Sequence, residues 1–243
     1  MSDQEHVSLG FSKIPRSQKT HAVQNIFEGV ADHYDVMNDF MSLGMHRMWK
    51  FHAIRYMHLH DNIKLLDLAA GSGDMTAEAL KVHPNIECTL ADASEPMLAQ
   101  AKKRFGNVIS NYINTTAESM PFTNASFDRI IISFGFRNFT DQEKSLHECI
   151  RCLKDDGILG ILEFSKPKSA LFQKMYQAYA HQIIPKIGQL VCSNPDAYQY
   201  LAESIDVHPD AESVSDMILR VGFNDVQCHS FCAGLVRLHI ASK

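Results

Sequence analysis

The stretch Leu65-Leu66-Asp67-Leu68-Ala69-Ala70-Gly71-Ser72-Gly73-Asp74 joins an apolar run to a helical pattern. Gly71 and Gly73 can take positive φ there and let a ligand approach the backbone at the carboxyl end of a strand. About twenty residues further on, Asp92 ends the run Glu87-Cys88-Thr89-Leu90-Ala91, where a carboxylate can accept hydrogen bonds from ribose hydroxyls. NAD and S-adenosylmethionine both match such a pair. The dinucleotide pattern takes Gly or Ala three positions after its second glycine, and Thr76 stands there instead, which favours S-adenosylmethionine. Asn114 to Phe122, including Thr116 and Ala117, offers backbone and small side chains to an adenine. The run Phe127 to Ser133 then delivers Phe134-Gly135-Phe136-Arg137-Asn138 to the same rim.

These motifs need strands to carry them. Near-continuous apolar runs at 64–69, 86–91, 128–134 and 158–164 alternate with helical patterns at 75–83, 95–105 and 141–153. That alternation predicts an α/β fold, a Rossmann-like doubly wound and mostly parallel sheet buried on both faces. A helix over 212–221, ended by Gly222, leads into strand-like segments at 225–231 and 235–241 joined through Cys232-Ala233-Gly234, which predicts a C-terminal antiparallel hairpin. Helical spacing also covers 17–60, with a break at Ser42-Leu43-Gly44, and the segment 167–206. The organisation expected is an N-terminal helical extension or lid over 1–60, then a cofactor-binding domain over 61–243 with a helical insertion at 167–206.

Composition excludes more than it selects. The 243 residues are 45% hydrophobic and 21% charged, which is ordinary for a globular chain. Twenty-three Lys and Arg against 28 Asp and Glu give a net charge of −5, so nucleic acid is not an expected partner. No secretory signal and no apolar run of about 18 residues is found, which predicts a cytoplasmic protein. Cys149 and Cys152 fall at i, i+3 on the helix face of Leu146 and Leu153, where small buried hydrophobes belong. With no second Cys-x-x-Cys and no suitably spaced His pair, no metal is expected.

Together the glycine loop, Asp92, the 114–122 segment and the 133–138 rim resemble those of class I S-adenosylmethionine-dependent methyltransferases. Three longer strings, Tyr34 to Lys50 (YDVMNDFMSLGMHRMWK), Leu162 to Pro167 (LEFSKP) and Tyr198 to Ile205 (YQYLAESI), are similar to those of the ubiquinone/menaquinone biosynthesis C-methyltransferases. The likeness runs from about Gly10 to His239. It implies S-adenosylmethionine as cofactor, with Ser72 in the loop, Asp92 on the ribose, Thr116 and Ala117 near the adenine, and Ser133 at its strand end. Ala70 and Ser72 replace the family's usual Gly and Thr, and Ala70 then needs a negative φ. Thr116 stands where Asn is common, and Asp155-Asp156 where the family has Pro-Gly.

The resemblance further implies, as acceptor, a ring carbon of a polyprenylated benzoquinol or demethylmenaquinol; which of the two, or both, stays open. Withdrawing the proton of the neighbouring hydroxyl makes such a carbon nucleophilic, and an apolar pocket favours the charge-neutralising transfer. Arg137 with Asn138 is the leading catalytic pair, because an arginine can hold a quinol oxyanion or orient a water; its plainer role is a salt bridge with an acid such as Asp141. Tyr34, Asp35, Asn38, Arg47 and Tyr200 are weaker candidates, with Phe134, Phe136 and Met37 as walls. The 171–191 segment predicts at most weak, peripheral contact with the inner face of a membrane, and a homodimer or a quinone-biosynthesis complex is compatible. A non-catalytic cofactor-binding scaffold and an NAD-dependent oxidoreductase are the alternatives.

Overall fold

A computed structural model of the chain describes residues 6–28, 38–40, 42–109, 111–167, 169–183, 186 and 195–243. Its first element is not helical. Strands β1 (His6–Leu9) and β2 (Ser12–Pro15) pair antiparallel as a hairpin turned at Gly10, where φ is 58°. Val7, Leu9 and Ile14 follow a two-residue alternation, so the expected helical extension over 1–60 is corrected here: its helices are α1 (Arg16–Glu28) and α2 (His46–Tyr56), preceded by a hairpin. Between them Leu43 and Gly44 both have positive φ, at the predicted break.

Beyond α2 the alternation takes the predicted form. In chain order come β3 (Lys64–Leu68), α3 (Asp74–Val82), β4 (Glu87–Asp92), α4 (Glu95–Phe105), β5 (Asn111–Asn114), β6 (Phe127–Ser133), α5 (Gln142–Cys152) and β7 (Leu153–Phe164). The insertion supplies α6 (Ala170–Ala178), running into a π turn at Tyr179–Ile183, and α7 (Pro195–Val207); α8 (Ala211–Val221), β8 (Asp225–Phe231) and β9 (Val236–Ser242) close the chain. Pro185 and Leu190 of the predicted insertion helix lie outside the described residues. Seven strands form one sheet in the order β5-β4-β3-β6-β7-β9-β8, parallel through β7, with β9 antiparallel to both β7 and β8.

Alternation along the central strands makes two cores. Leu65 and Ile131 face α2 and α3 in a core with Trp49, Ile54 and Met75. Leu66, Leu68, Ile130 and Ile132 face α5 and α8, packing with Leu146, Val214 and Ile218. Cys149 and Cys152 belong to that second core, where burial pushes both thiols up. Strand order reverses between β3 and β6. In such sheets the ligand crevice opens there, beyond the carboxyl ends of the strands.

Candidate functional site

At the end of β3 the backbone turns sharply. Ala69, Gly71 and Gly73 have φ of 56°, 55° and 82°, and Gly73 caps α3. The left-handed position thus falls on Ala69 and not on Ala70, which is why an alanine is tolerated at 70. Gly73 needs to be glycine twice over, since a Cβ there would lie 2.5 Å from the Phe105 ring and 2.9 Å from Leu90. Thr76, at the position that argues against NAD, is buried, and its N–H and Oγ1 both donate to Asp67 Oδ2, at 3.0 and 2.8 Å. Burial raises the Asp67 carboxyl to about 7 against the pull of Thr76 and Lys50.

Asp92 clamps the turn from the neighbouring strand. Its carboxylate accepts the Gly71 N–H at 2.8 Å through Oδ2 and the Ser94 N–H at 2.8 Å through Oδ1. Burial raises its pKa, partly offset by these amides. Two amides leave a carboxylate with acceptor capacity for hydroxyl groups. From β5, Thr115 N–H bonds the Asp92 carbonyl at 3.0 Å, which brings Thr116 and Ala117 to the rim. At the end of β6, Phe134 takes a φ of 57° and donates its N–H to the Leu162 carbonyl at 2.8 Å. Gly135 follows, and a Cβ on it would meet Ala69 Cβ at 2.6 Å. Two non-glycine residues strained at adjacent strand ends mark a functional rim.

Between these ends and α1 lies a cavity of about 800 Å³. Gly71, Asp92, Thr116, Ala117, Ser133 and Asn138, all proposed from sequence, line it. Thr20, Val23, Gln24 and Phe27 form its α1 wall, with Phe134, Phe139 and Met97 adding apolar surface. Ser72 lies instead in a smaller cavity under the glycine loop, which shares Ala69 and Ser133 with the larger one. Gly73 lines neither; its place is the cap of α3. Phe136 is buried in the core and not in the cavity.

Arg137 is placed differently from the sequence expectation. Its guanidinium points away from this cavity into the protein, where Nη1 donates to Glu163 Oε1 and the Phe134 carbonyl, both at 2.7 Å, and Nε donates to Ser204 Oγ at 3.2 Å. Both partners of the Arg137–Glu163 pair have side chains only 3% exposed. The expected alternative partner, Asp141, is paired with Arg16. Arg137 therefore holds the rim and does not line the cavity, whereas Asn138 does, its Oδ1 accepting the Tyr200 hydroxyl at 2.9 Å. Arg47 pairs with Asp39 at 2.8 Å, and the Asn38 carbonyl accepts Ser42 Oγ at 2.6 Å, away from the rim. Tyr34, Asp35 and Met37 lie outside the described residues. Sequence reading passed over Lys50, Asp67 and Asp74; an acid just before the glycine loop and another just after it were the available signal.

The residues fit an adenosyl group. Asp92 retains acceptor capacity, Ser133 Oγ is buried without a partner, and the absence of a side chain at Gly135 lets two strand ends close to contact distance. An antiparallel β9 inserted between β7 and β8, on a parallel sheet with its crevice at the β3/β6 reversal, is the architecture of a class I methyltransferase, the class that uses S-adenosylmethionine. Among solved structures, a SAM-dependent methyltransferase of Thermotoga maritima has this fold, with a TM-score of 0.63 at 18% identity over 90% of this chain and 99% of that one.

The particular family comes from sequence comparison. Residues 15–243 match the ubiE/COQ5 methyltransferase family, and the chain belongs to it. It is 42% identical over 246 residues to the ubiquinone/menaquinone biosynthesis C-methyltransferase UbiE of Idiomarina loihiensis, covering 99% of this chain and 98% of that protein. The enzyme of the same name from Blochmanniella floridana is 43% identical over 240 residues, covering 97% and 94%.

Proposed function

We propose that this chain methylates a ring carbon of a prenylated benzoquinol or demethylmenaquinol, the chemistry for which its relatives are named. The observation that carries the reading is the change of character along one cavity: carboxylate and small polar groups gather at the β4 and β5 ends, aromatic side chains at the β6 end. When bound, S-adenosylmethionine supplies an electrophilic methyl group on a sulfonium. At the polar end Asp92 would accept the ribose hydroxyls, Thr116 and Ala117 would flank the adenine, and Gly71, Gly73 and Ser72 would shape the loop beneath. Ser133, at the end of β6, would contribute its unpartnered hydroxyl.

At the other end Phe27, Phe134 and Phe139 keep water from the acceptor carbon. Asn138 is oriented by its neighbour: burial raises the Tyr200 hydroxyl to about 12, so it stays protonated and donates to Asn138 Oδ1. That leaves the Asn138 amide N–H groups to donate to the quinol oxygen, which would stabilise the negative charge it carries once its proton has passed to water and so make the nucleophilic form of the ring accessible. Arg137 acts one step back, fixing the turn that carries Asn138.

No helix among the described residues is long and apolar enough to cross a membrane. A lipid-tailed acceptor then has to be met at a surface, and α6 exposes Leu171 and Met175 beside Lys174, suiting a shallow, peripheral contact from the cytoplasmic side. The test is turnover. The purified chain, S-adenosylmethionine and a chemically reduced demethylquinol should yield the ring-methylated quinol and S-adenosylhomocysteine, and failure with both benzoquinol and naphthoquinol acceptors refutes the reading.

A further inference from the structure

A further cavity, of about 670 Å³, takes no part in the site described above. Residues of β1, α1, the turn after β6 and the end of α7 line it, and it shares only Phe139 and Thr140 with the nucleoside cavity. Its described lining includes Lys19, Arg137 and His208 and no Asp or Glu. Each of the three has hydrogen-bonding capacity that the protein leaves unused. Lys19 is 8% exposed, and its ammonium, which has three donors, donates only to the Phe139 carbonyl at 3.0 Å. Arg137 commits Nη1 to Glu163 and the Phe134 carbonyl and Nε to Ser204, while Nη2 has no hydrogen bond among the described residues. His208 is 4% exposed, and its Nδ1 is buried without a partner.

Other buried cations of the chain are matched by carboxylates. Lys50, with a side chain 7% exposed, donates to Asp74 Oδ2 at 2.6 Å, and Arg137 has Glu163. Lys19 has no ion pair among the described residues. Burial lowers its pKa, Glu118 offsets part of that from farther off, and Arg16 adds to it. Glu118 Oε1 is itself taken by the Thr140 and Asp141 amides. At His208, burial and then the positive charges of Arg137, Lys166 and Lys19 oppose protonation, so the imidazole is neutral and donates through one N–H. Uncompensated positive charge beside unused buried donors selects a group with several acceptor oxygens and negative charge of its own.

We propose that this cavity is a binding site for a small oxyanion, a phosphate or carboxylate group, held by Lys19 Nζ, Arg137 Nη2 and a ring N–H of His208. Such a ligand would tie α1, the turn that carries Asn138 and the chain just beyond α7 to one another. The competing reading is a hydrated gap with no selectivity. Phosphate also stabilises folded proteins by exclusion from their surface, but that effect grows with concentration without saturating and is the same for every variant. Binding at a site saturates and depends on the residues that make the site.

The experiment is a calorimetric titration of the full chain with inorganic phosphate and, separately, with malonate, at constant ionic strength made up with chloride, and thermal unfolding over the same concentrations. Saturable binding to a single site is expected, with a melting temperature that rises along the same curve. Tighter binding of phosphate assigns the site to a phosphoryl group, and tighter binding of malonate assigns it to a carboxylate. Lys19→Met should weaken binding by about tenfold or more, the range of a charge-assisted hydrogen bond. His208→Phe keeps a ring against Phe136 but removes both nitrogens, and should weaken it by about threefold or more. Saturating S-adenosylhomocysteine should leave the anion's affinity unchanged, because the nucleoside cavity is a separate one. Failure of both anions to saturate, equal affinity in the unsubstituted protein and Lys19→Met, or displacement of the anion by S-adenosylhomocysteine overturns the proposal. The titration and the displacement test on the unsubstituted chain decide the matter even where Lys19→Met does not fold.

Discussion

Replacing Glu163 with alanine tests whether Arg137 is architecture or active-site chemistry. Glu163 Oε1 accepts Arg137 Nη1 at 2.7 Å and the Phe164 N–H at 2.8 Å, and Oε2 accepts the Arg137 N–H at 3.2 Å. Glu163→Ala removes all three hydrogen bonds at a position 2% exposed and leaves a guanidinium with only the Phe134 carbonyl and Ser204 Oγ. Breaking one side of a buried ion pair costs about 3–5 kcal/mol, since the stranded charge cannot be rehydrated. For a chain of this size each kcal/mol moves the melting temperature by about 2–4 °C, so a fall of roughly 6–20 °C is expected. Removing the charge as well, in Arg137→Met with Glu163→Leu, should recover at least about 1.5 kcal/mol relative to Glu163→Ala, because no unpaired ion then remains. Urea unfolding followed by circular dichroism measures all three proteins. A loss below about 1 kcal/mol in Glu163→Ala, or a double variant no more stable than it, would refute the argument that the pair is a buried structural clamp.

Two further outcomes follow from geometry and titration. Gly135→Ala should cost about 1–3 kcal/mol by overpacking, because its Cβ would sit 2.6 Å from Ala69 Cβ, and adding Ala69→Gly should restore most of the loss by removing that contact and the left-handed strain at 69; additive losses in urea unfolding would contradict this. Burial, followed by the nearby positive charge of Arg137, lowers His208 to about 3 from 6.5, so the native state binds fewer protons than the unfolded state between those values. Its contribution is complete above pH 6.5 and is lost toward pH 3 at up to about 1.4 kcal/mol per pH unit, and His208→Gln should flatten that acid limb. Asp67, raised to about 7, titrates with the opposite sign in both proteins and cancels in the comparison, so parallel stability curves would show that His208 is not buried neutral.

What the sequence disclosed depended on whether a feature is local. The strand at Lys64–Leu68 announces itself through an apolar run, the helix at Glu95–Phe105 through its spacing and the Ser94 cap, and the strand at Asp225–Phe231 through the Gly222 stop before it. Strand β5 has only Tyr112 and Ile113 to mark it and sits at the sheet edge, so no apolar run betrays it. The start of β7 was hidden by Lys154-Asp155-Asp156-Gly157, which reads as a turn and is in fact an irregular strand opening with Asp156 at a φ of 62°. At the site, residues at strand ends were legible because β-sheet topology brings every strand end to one rim. The partner of Arg137 was not. Asp141 is four residues away in sequence and Glu163 is 26 away, and only the parallel pairing of β6 with β7 decides between them. Lys50 is harder still, since nothing in its own helix says which carboxylate it will meet.

The strand ends that floor the large cavity and the α1 wall over it are held in different ways. The floor of the large cavity is made by the ends of β3, β4 and β6, whose central side chains are buried, so displacing it would mean opening the core. In the α1 wall Lys19 is the one buried residue, and Ile26 and Phe27 pack against the core while only partly buried. It is held by named polar contacts: Arg16 to Asp141, Lys19 Nζ to the Phe139 carbonyl at 3.0 Å, Thr20 Oγ1 to Thr140 Oγ1 at 2.9 Å, and Gln24 to the Ala93 carbonyl. Such bonds contribute about 0.5–1.5 kcal/mol each when exchanged for water, so together they add a few kcal/mol to the partial burial of Ile26 and Phe27. Three of the four contacts land between Phe139 and Asp141, on the turn that also carries Asn138. The same short segment therefore joins α1 to Asn138, and Arg137, clamped by Glu163 just before it, keeps that segment in register with the sheet.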